Sequence, residues 1–287
     1  MKKITYLCIA ITIVLSLGLG FFTDPLVANT KSESDKRDIY LNIMTVNKSQ
    51  ALLVEKISGN KHNVDFLISE NQDVNSFEYT EETIKNVSNM DLFLYTGANV
   101  ENWTNTFIDK LEKNNLGIIN LARGIRTRDN TPNYWLGLEE YKICLYNIKA
   151  ALQDRDPINR EYYESNYNNI VKELEDKTKE KSSEIHKLIE DKKITYLSTT
   201  NNFDFYFDSF GFIVQKINKD NYKEVIEKAT LEKQEIIIIS DKSQELDYDI
   251  SETGLEPIYL ETSNYNKTYD ETIIDNYNII IQKLNSL

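Results

Sequence analysis

The stretch Gly97-Ala98-Asn99-Val100-Glu101-Asn102-Trp103 decides the fold, and it follows the strand-like run Asp91–Tyr95 after one intervening threonine. This run has the length and composition of a short buried strand, and the glycine after it is typical of a turn. A second polar stretch, Gln72–Glu78, lies upstream and follows another strand-like segment, Val64–Ile68. Strands that alternate with helical segments predict a parallel α/β lobe.

The segments around these two stretches extend the same alternation. Thr80-Glu81-Glu82-Thr83 has a helix-start pattern, because acidic residues in a first turn suit the helix dipole. We predict an amino-terminal α/β lobe over residues 39–138. Its other predicted elements are a strand at 39–46, a helix at 51–57, a helix at 103–113 and a strand at 117–121.

The middle of the chain differs, because residues 159–191 contain no Pro or Gly and carry an apolar stripe at helical spacing. Residues 139–192 are therefore predicted to form linking helices that include one long backbone helix. A coiled-coil hairpin is the alternative for this helix. Strand-like runs resume at Ile194, so residues 193–287 are predicted to form a second α/β lobe. The predicted fold is α/β, with two parallel-sheet (β/α)4-type lobes joined by one long rigid helix.

The amino terminus reads as a targeting segment. Lys2 and Lys3 precede an almost uninterrupted apolar run that ends before Asp24. Residues 1–28 are predicted to be a signal peptide or an uncleaved membrane anchor, and residues 29–38 a polar tether. Cys8 lies inside the apolar run and is poorly placed for lipid attachment. The protein is expected to be secreted or anchored to the outer face of the cytoplasmic membrane.

Composition excludes several classes of protein. The 287 residues carry a formal net charge of -13, which disfavours binding to nucleic acid phosphates. A hydrophobic content of 40% is ample for a globular core. Beyond the apolar run only Cys144 remains, so neither an intramolecular disulfide nor a cysteine metal site is expected. The Asn-, Lys- and Ile-rich composition favours a Gram-positive source.

Five motifs in order resemble the zinc- and manganese-type solute-binding proteins of bacterial ABC importers. Gln72–Glu78 is similar to that family's G-x-D/E-P-H-x-Y-E-P motif, and Asn133–Leu136 to its H-x-W-L motif. The entry into the long helix, 151–166, resembles A-L-x-x-x-D-P…Y-x-x-N, and 203–211 resembles F-x-Y-F…Y-G. The fifth motif is the final helix, which begins near Tyr269 and resembles the last helix of that family. The resemblance covers roughly residues 39–287 and implies a two-lobed metal-receptor fold that serves a membrane permease.

The resemblance also implies where a ligand would bind. The family's metal-ligand positions fall on Asn75, Asn133, Thr200 and Glu261, although a shift of one residue would replace Thr200 by Thr199 or Asn201. The expected supporting residues are Asp241, Phe77, Trp135 and Phe203. Two amides, one hydroxyl and one carboxylate supply a single negative charge and no imidazole. Zinc and manganese sites usually require imidazole nitrogen or several anionic oxygens. High-affinity zinc binding is therefore not expected, and Glu261 is the best candidate for any divalent cation.

Neither histidine matches a ligand position. His62 lies in a predicted turn and His186 in the long helix, and both are expected to be solvated. The leading hypothesis is a monomeric receptor for a small polar solute or cation, with an ABC permease as partner and no certain cofactor. The alternative is a surface interaction or adhesion module on a receptor fold that has lost transport function. The sequence has no phosphate loop, nucleophile elbow or His–carboxylate pair, so we do not expect an enzyme.

Overall fold

Two four-stranded parallel sheets form the two lobes of the protein. The structure is a computed structural model that describes residues 39–69, 72–128 and 131–287, and Tyr40–Leu287 form one compact unit. The predicted targeting segment, 1–28, and tether, 29–38, lie outside the described residues. The boundaries proposed for the two lobes stay predictions.

The amino-terminal lobe has the strand order β2-β1-β3-β4, and in the register Ile43 pairs with Val64 on one side and Leu92 on the other. The capping box of Thr80 and Thr83 begins the helix predicted from Thr80–Thr83. The elements are β1 (Asn42–Asn47), α1 (Lys48–Ser58), β2 (Asn63–Ile68), α2 (Glu81–Ser88), β3 (Leu92–Tyr95), α3 (Thr104–Lys110) and β4 (Gly117–Asn120).

Two linking helices follow, α4 (Leu138–Arg155) and α5 (Arg160–Ile189). The 30 residues of α5 correspond to about 45 Å. The predicted apolar stripe is buried, and α5 packs against α1 and α4. The coiled-coil alternative is therefore wrong, because the apolar stripe packs in the core of this chain and the helix does not form a protruding stalk.

The carboxyl-terminal lobe has the strand order β6-β5-β7-β8. Its last helix also packs against α5, so the long helix contacts both lobes. The predicted fold class is confirmed by this architecture. The elements are β5 (Ile194–Ser198), α6 (Asp204–Phe210), β6 (Val214–Lys216), α7 (Tyr222–Leu231), β7 (Glu235–Asp241), β8 (Ile258–Leu260) and α8 (Tyr269–Asn285).

Asp270, in the first turn of α8, joins three elements. Lys56 of α1 forms an ion pair with its Oδ2 at 2.6 Å, and the hydroxyl of Tyr141 on α4 donates to its Oδ1 at 2.6 Å. Burial alone would raise the pKa of this carboxyl, but Lys56 and the hydrogen bonds bring the pKa below its usual value. The carboxylate therefore stays ionised and holds the two lobes against α4.

A buried chain of hydrogen bonds fixes the start of α5 to the amino-terminal lobe. The Leu41 N–H donates to His62 Nδ1 at 3.4 Å, so the ring proton sits on Nε2, which lies 2.8 Å from the Tyr163 hydroxyl. That hydroxyl in turn donates to Asp156. The expectation that His62 is solvated is wrong, because only 5% of it is exposed, whereas His186 is exposed as expected.

Cys144 is fully buried in α4. Burial raises the pKa of its thiol to about 12. Within the ranges that the structure describes, no helix combines the length and the hydrophobicity needed to cross a bilayer.

Tyr163→Phe should lower the free energy of unfolding by about 1–3 kcal/mol, because His62 Nε2–H and Asp156 each lose a buried partner. Tyr162→Phe is the matched control, since that neighbouring ring is 39% exposed and should change stability by less than about 0.5 kcal/mol. Urea unfolding of the two variants measures the difference. Equal effects would show that the buried chain contributes nothing specific.

Acidification should destabilise the protein through His62. Burial lowers the pKa of this imidazole below its usual 6.5, so the unfolded chain binds more protons than the folded chain as the pH falls below that value. The free energy of unfolding should therefore fall between pH 7.5 and pH 5.5, by at most about 1.4 kcal/mol per pH unit from this group. His62→Gln should remove that component in urea unfolding, whereas His186→Gln should leave it in place.

Candidate functional site

A cavity of about 530 Å³ lies between the lobes, at the carboxyl ends of both sheets. The residues that line it lie where strands end: Asn47 ends β1 and Lys48 follows it, Thr96 follows β3, and Asp241 ends β7. Open α/β sheets generally bind ligands at this edge, because the loops there are free of the strand hydrogen bonds. This cavity is the candidate site.

The stretch Gly97–Trp103 positions the first wall. Gly97, Ala98 and Asn99 all have left-handed backbone conformations, with φ of 77°, 52° and 57°, and Val100 N–H closes the turn onto Gly97 O at 3.0 Å. The turn presents Asn102 N–H to Asn75 Oδ1 at 3.1 Å. The two polar stretches that follow β2 and β3 are therefore in direct contact.

Two buried side chains hold this turn in place. The Trp103 indole N–H donates to Val74 O at 2.8 Å, which fixes the loop that carries Asn75. Glu101 Oε1 accepts from Thr96 N–H at 3.1 Å, while its Oε2 has no partner among the described residues. Burial raises the pKa of this carboxyl. Glu101 therefore supports the cavity wall from behind, and it is not among the residues that line the cavity.

The second wall is the turn Tyr134–Leu136 and the residue before it. The Asn133 side-chain amide donates to Asn202 O at 3.2 Å, and the Trp135 indole N–H donates to Thr262 O at 2.8 Å. Trp135 also stacks on Tyr269, with 5.2 Å between the ring centroids. Asn133 and Trp135 both line the cavity, as expected from the sequence.

Asp241 supplies the carboxylate of the third wall and is only 2% exposed. Its Oδ2 accepts from Asn202 Nδ2 at 2.6 Å, and its Oδ1 accepts from the Ser243 N–H at 2.8 Å and the Ser243 hydroxyl at 2.7 Å. Three hydrogen bonds therefore fix the carboxylate, and it in turn orients Asn202 in the cavity wall.

Four of the expected residues are not among those that line the cavity: Thr200, Glu261, Phe77 and Phe203. Asn202 takes the place expected for Thr200, whose hydroxyl accepts from Asn202 N–H at 3.2 Å instead. Phe203 is fully buried in the carboxyl-terminal lobe, and Phe77 packs on Trp103 with 4.8 Å between the ring centroids. These aromatic rings serve the core.

The largely buried side chain of Glu261 pairs with an exposed lysine. Lys242 Nζ lies 2.6 Å from Glu261 Oε1, and Asn264 Nδ2 donates to Oε2 at 3.2 Å. Partial burial opposes ionisation, but these two hydrogen bonds bring the pKa of Glu261 below its usual value. Its backbone is fixed as well, because Asn276 bonds both its N–H and its C=O.

Among the described residues, the cavity lining contains two carboxylates, Asp73 and Asp241, and neither an imidazole nor a thiol. Across the described residues, no three His, Cys, Asp or Glu side chains are grouped closely enough to hold a metal ion. Asn75 Oδ1 is used by a backbone N–H, and both oxygens of Asp241 are hydrogen-bonded. Zinc and manganese need nitrogen or several anionic oxygens to compensate for the loss of hydration water.

Sequence reasoning missed Lys48, whose half-buried side chain lines the cavity. Its Nζ donates to Asn266 Oδ1 at 2.7 Å and lies 4.7 Å from the centroid of the Tyr265 ring. Its position directly after the first strand was the available signal, because residues after parallel strands face the cavity. Asn202 was missed because the sequence allowed several alignments near Thr200.

The sequence matches the profile of the family described as zinc-uptake complex component A, periplasmic (ZnuA), over residues 43–283. The chain belongs to this family. Its relatives include a metal ABC transporter substrate-binding lipoprotein (ScbA) of Streptococcus cristatus and a manganese ABC transporter substrate-binding lipoprotein (scaA) of Streptococcus gordonii. Each is 27% identical over 212 residues, which is 69% of this chain and 66% of the relative, slightly under two thirds of its length.

Solved structures support the same fold for this ZnuA-family chain. The metal-dependent lipoprotein YcdH of Bacillus subtilis superposes with a TM-score of 0.70 at 20% identity, covering 84% of this chain and 98% of YcdH. A Cd-bound periplasmic metal-binding protein of Candidatus Liberibacter asiaticus gives 0.69 at 20% identity, covering 85% and 99%. The family consists of substrate-binding proteins of ABC transporters, so the expectation that the chain is not an enzyme is confirmed.

Asp241→Ala should lower the free energy of unfolding by about 1–3 kcal/mol, because it removes the buried carboxylate that accepts hydrogen bonds from Asn202 and Ser243. Glu261→Gln should cost less than about 1 kcal/mol, because its ion pair with the exposed Lys242 is screened by solvent. Urea unfolding at pH 7 compares the two. The reverse order would contradict the positions assigned to these carboxylates.

Proposed function

We propose that this protein is the extracytoplasmic solute-binding component of a metal-type ABC importer whose histidine-free cavity takes a small polar solute instead of zinc at high affinity. Membership of the ZnuA family supports the receptor role. The proposal concerning the solute rests on the chemistry of the cavity.

One observation carries the proposal: Asn75 and Asn133, which the resemblance aligns with the family's imidazole ligands, both line the cavity, whereas Glu261, the expected fourth ligand, pairs with Lys242 and is not among the lining residues. An amide oxygen is neutral and a weak ligand for zinc. The buried carboxylate that lines the cavity, Asp241, already accepts three hydrogen bonds. Such a set favours hydrogen bonding to a solute over metal coordination.

The size and polarity of the cavity suit a small organic solute. A volume of about 530 Å³ falls within the range of small-molecule sites, about 300–1,000 Å³. Asn75, Asn133 and Asn202 offer both donors and acceptors, and Trp135 supplies an apolar surface. Buried polar groups without partners cost free energy, so a cavity that had lost all binding would tend to acquire hydrophobic side chains.

The partner we propose is a membrane permease, on which both lobes dock when the solute is transferred. The streptococcal relatives are described as lipoproteins, which supports a location at the outer face of the membrane and a Gram-positive source. We expect a monomer. Because α5 contacts both lobes, release should require local loop motion rather than a wide hinge.

A surface interaction module is the competing proposal, and it predicts a closed or packed cleft. The open polar cavity instead supports a receptor. No grouping of exposed aromatic residues near the cavity favours the module, although Tyr146 and Tyr259 are individually exposed in the described part of the chain.

Thermal unfolding of the chelator-stripped protein tests the proposal. Zn²⁺ and Mn²⁺ at micromolar concentration should leave the midpoint unchanged, and at least one member of a panel of small polar solutes should raise it. A ligand at 100 times its Kd stabilises the native state by about 2.7 kcal/mol. Asn133→Ala should abolish the shift, and Asn218→Ala, outside the cavity, should preserve it. Stabilisation by zinc or manganese at micromolar concentration would refute the proposed specificity.

A further inference from the structure

Lys48 places a positive charge in the wall of the cavity. It is the first residue of α1, and its stem runs to the opposite lobe, where Asn266 Oδ1 accepts from Nζ at 2.7 Å. The Tyr265 ring lies under the ammonium at 4.7 Å and packs edge-on against Phe66, with 5.8 Å between those ring centroids. These contacts hold the ammonium in one place.

Ser49, the next residue, strengthens the same attachment. Its hydroxyl donates to Asn264 O at 2.9 Å and it is almost fully buried. The start of α1 is therefore bonded at two points to the loop between β8 and α8, which is the loop that carries Glu261. These contacts fix the Lys48 ammonium, so it cannot move away from a cation that enters the cavity.

We propose that Lys48 is the specificity-determining residue that excludes divalent cations from the cavity. The inference rests on the proposed function and deepens it, because it names the group that acts against metal in addition to the missing imidazoles. A fixed like charge raises the free energy of a bound dication, and the low dielectric of a cleft strengthens the repulsion.

Among the residues that the structure describes, the other charged side chains that line the cavity are carboxylates, and Lys48 offsets part of their attraction for a cation. The carboxylates are those of Asp73 and Asp241. Asp73 is exposed, and its Oδ1 accepts from the Asn75 N–H at 3.3 Å. Both oxygens of Asp241 are occupied by Asn202 and Ser243. Lys48 therefore supplies the positive charge that a metal ion would otherwise bring.

The experiment restores imidazoles and then removes the charge. Asn75→His/Asn133→His is prepared alone and combined with Lys48→Met, which keeps an apolar stem of similar length, and with Lys48→Arg, which keeps the charge. Mn²⁺ alone is the probe, titrated by calorimetry at pH 7.5. We expect Lys48→Met to tighten Mn²⁺ binding by about tenfold or more relative to the double-His variant, and Lys48→Arg to give no gain.

Lys110→Met in the double-His background is the matched control. Lys110 also lies over a tyrosine, 5.1 Å from the centroid of the Tyr79 ring, but it does not line the cavity. Circular dichroism and thermal midpoints establish that every variant is folded. The inference is overturned if Lys48→Met gives no gain, including affinity that stays below detection, or if Lys110→Met gives the same gain. Micromolar Mn²⁺ binding by the wild-type protein would instead refute the proposed function.

Discussion

The relative position of the two lobes depends on the carboxylate of Asp270, which joins α8 to α1 and α4. Asp270 accepts from Lys56 of the amino-terminal lobe and from Tyr141 of α4, while belonging to the first turn of α8 in the other lobe. Its side chain is only 13% exposed, so the charge must remain paired to be tolerated. Because these contacts fix the spacing of the lobes, the carboxyl ends of the two sheets enclose a cavity of defined size.

The long helix completes this frame. At its start, Tyr163 lies in the buried hydrogen-bond chain with His62 and Asp156, and near its end Ser182 contacts the Tyr277 hydroxyl at 3.0 Å. A helix anchored to both lobes resists hinge motion. Differences in what the protein binds therefore arise from the side chains of the loops at the strand ends, where one substitution changes the chemistry without changing the fold.

The fold could be predicted from the sequence because its signals are local. The spacing of apolar residues alone predicts strands, as at Asp91–Tyr95, and helices, as in the stripe of α5. The capping box at Thr80 marks the start of a helix through two residues that are three positions apart. The candidate site was predicted only in part. Asn75, Asn133, Trp135 and Asp241 line one cavity, whereas His62 is buried because Tyr163, 101 residues away in the chain, accepts its hydrogen bond.

The sequence by itself determined the two parallel lobes and the long helix, since each depends on residue type and short spacing. Only the tertiary structure decided which side chains share the cavity. Lys242 and Asn276 hold Glu261 outside it, and Asn266 and Tyr265 hold Lys48 within it. These pairs are far apart in sequence or on different lobes, and no local pattern encodes a contact that exists only after the chain has folded.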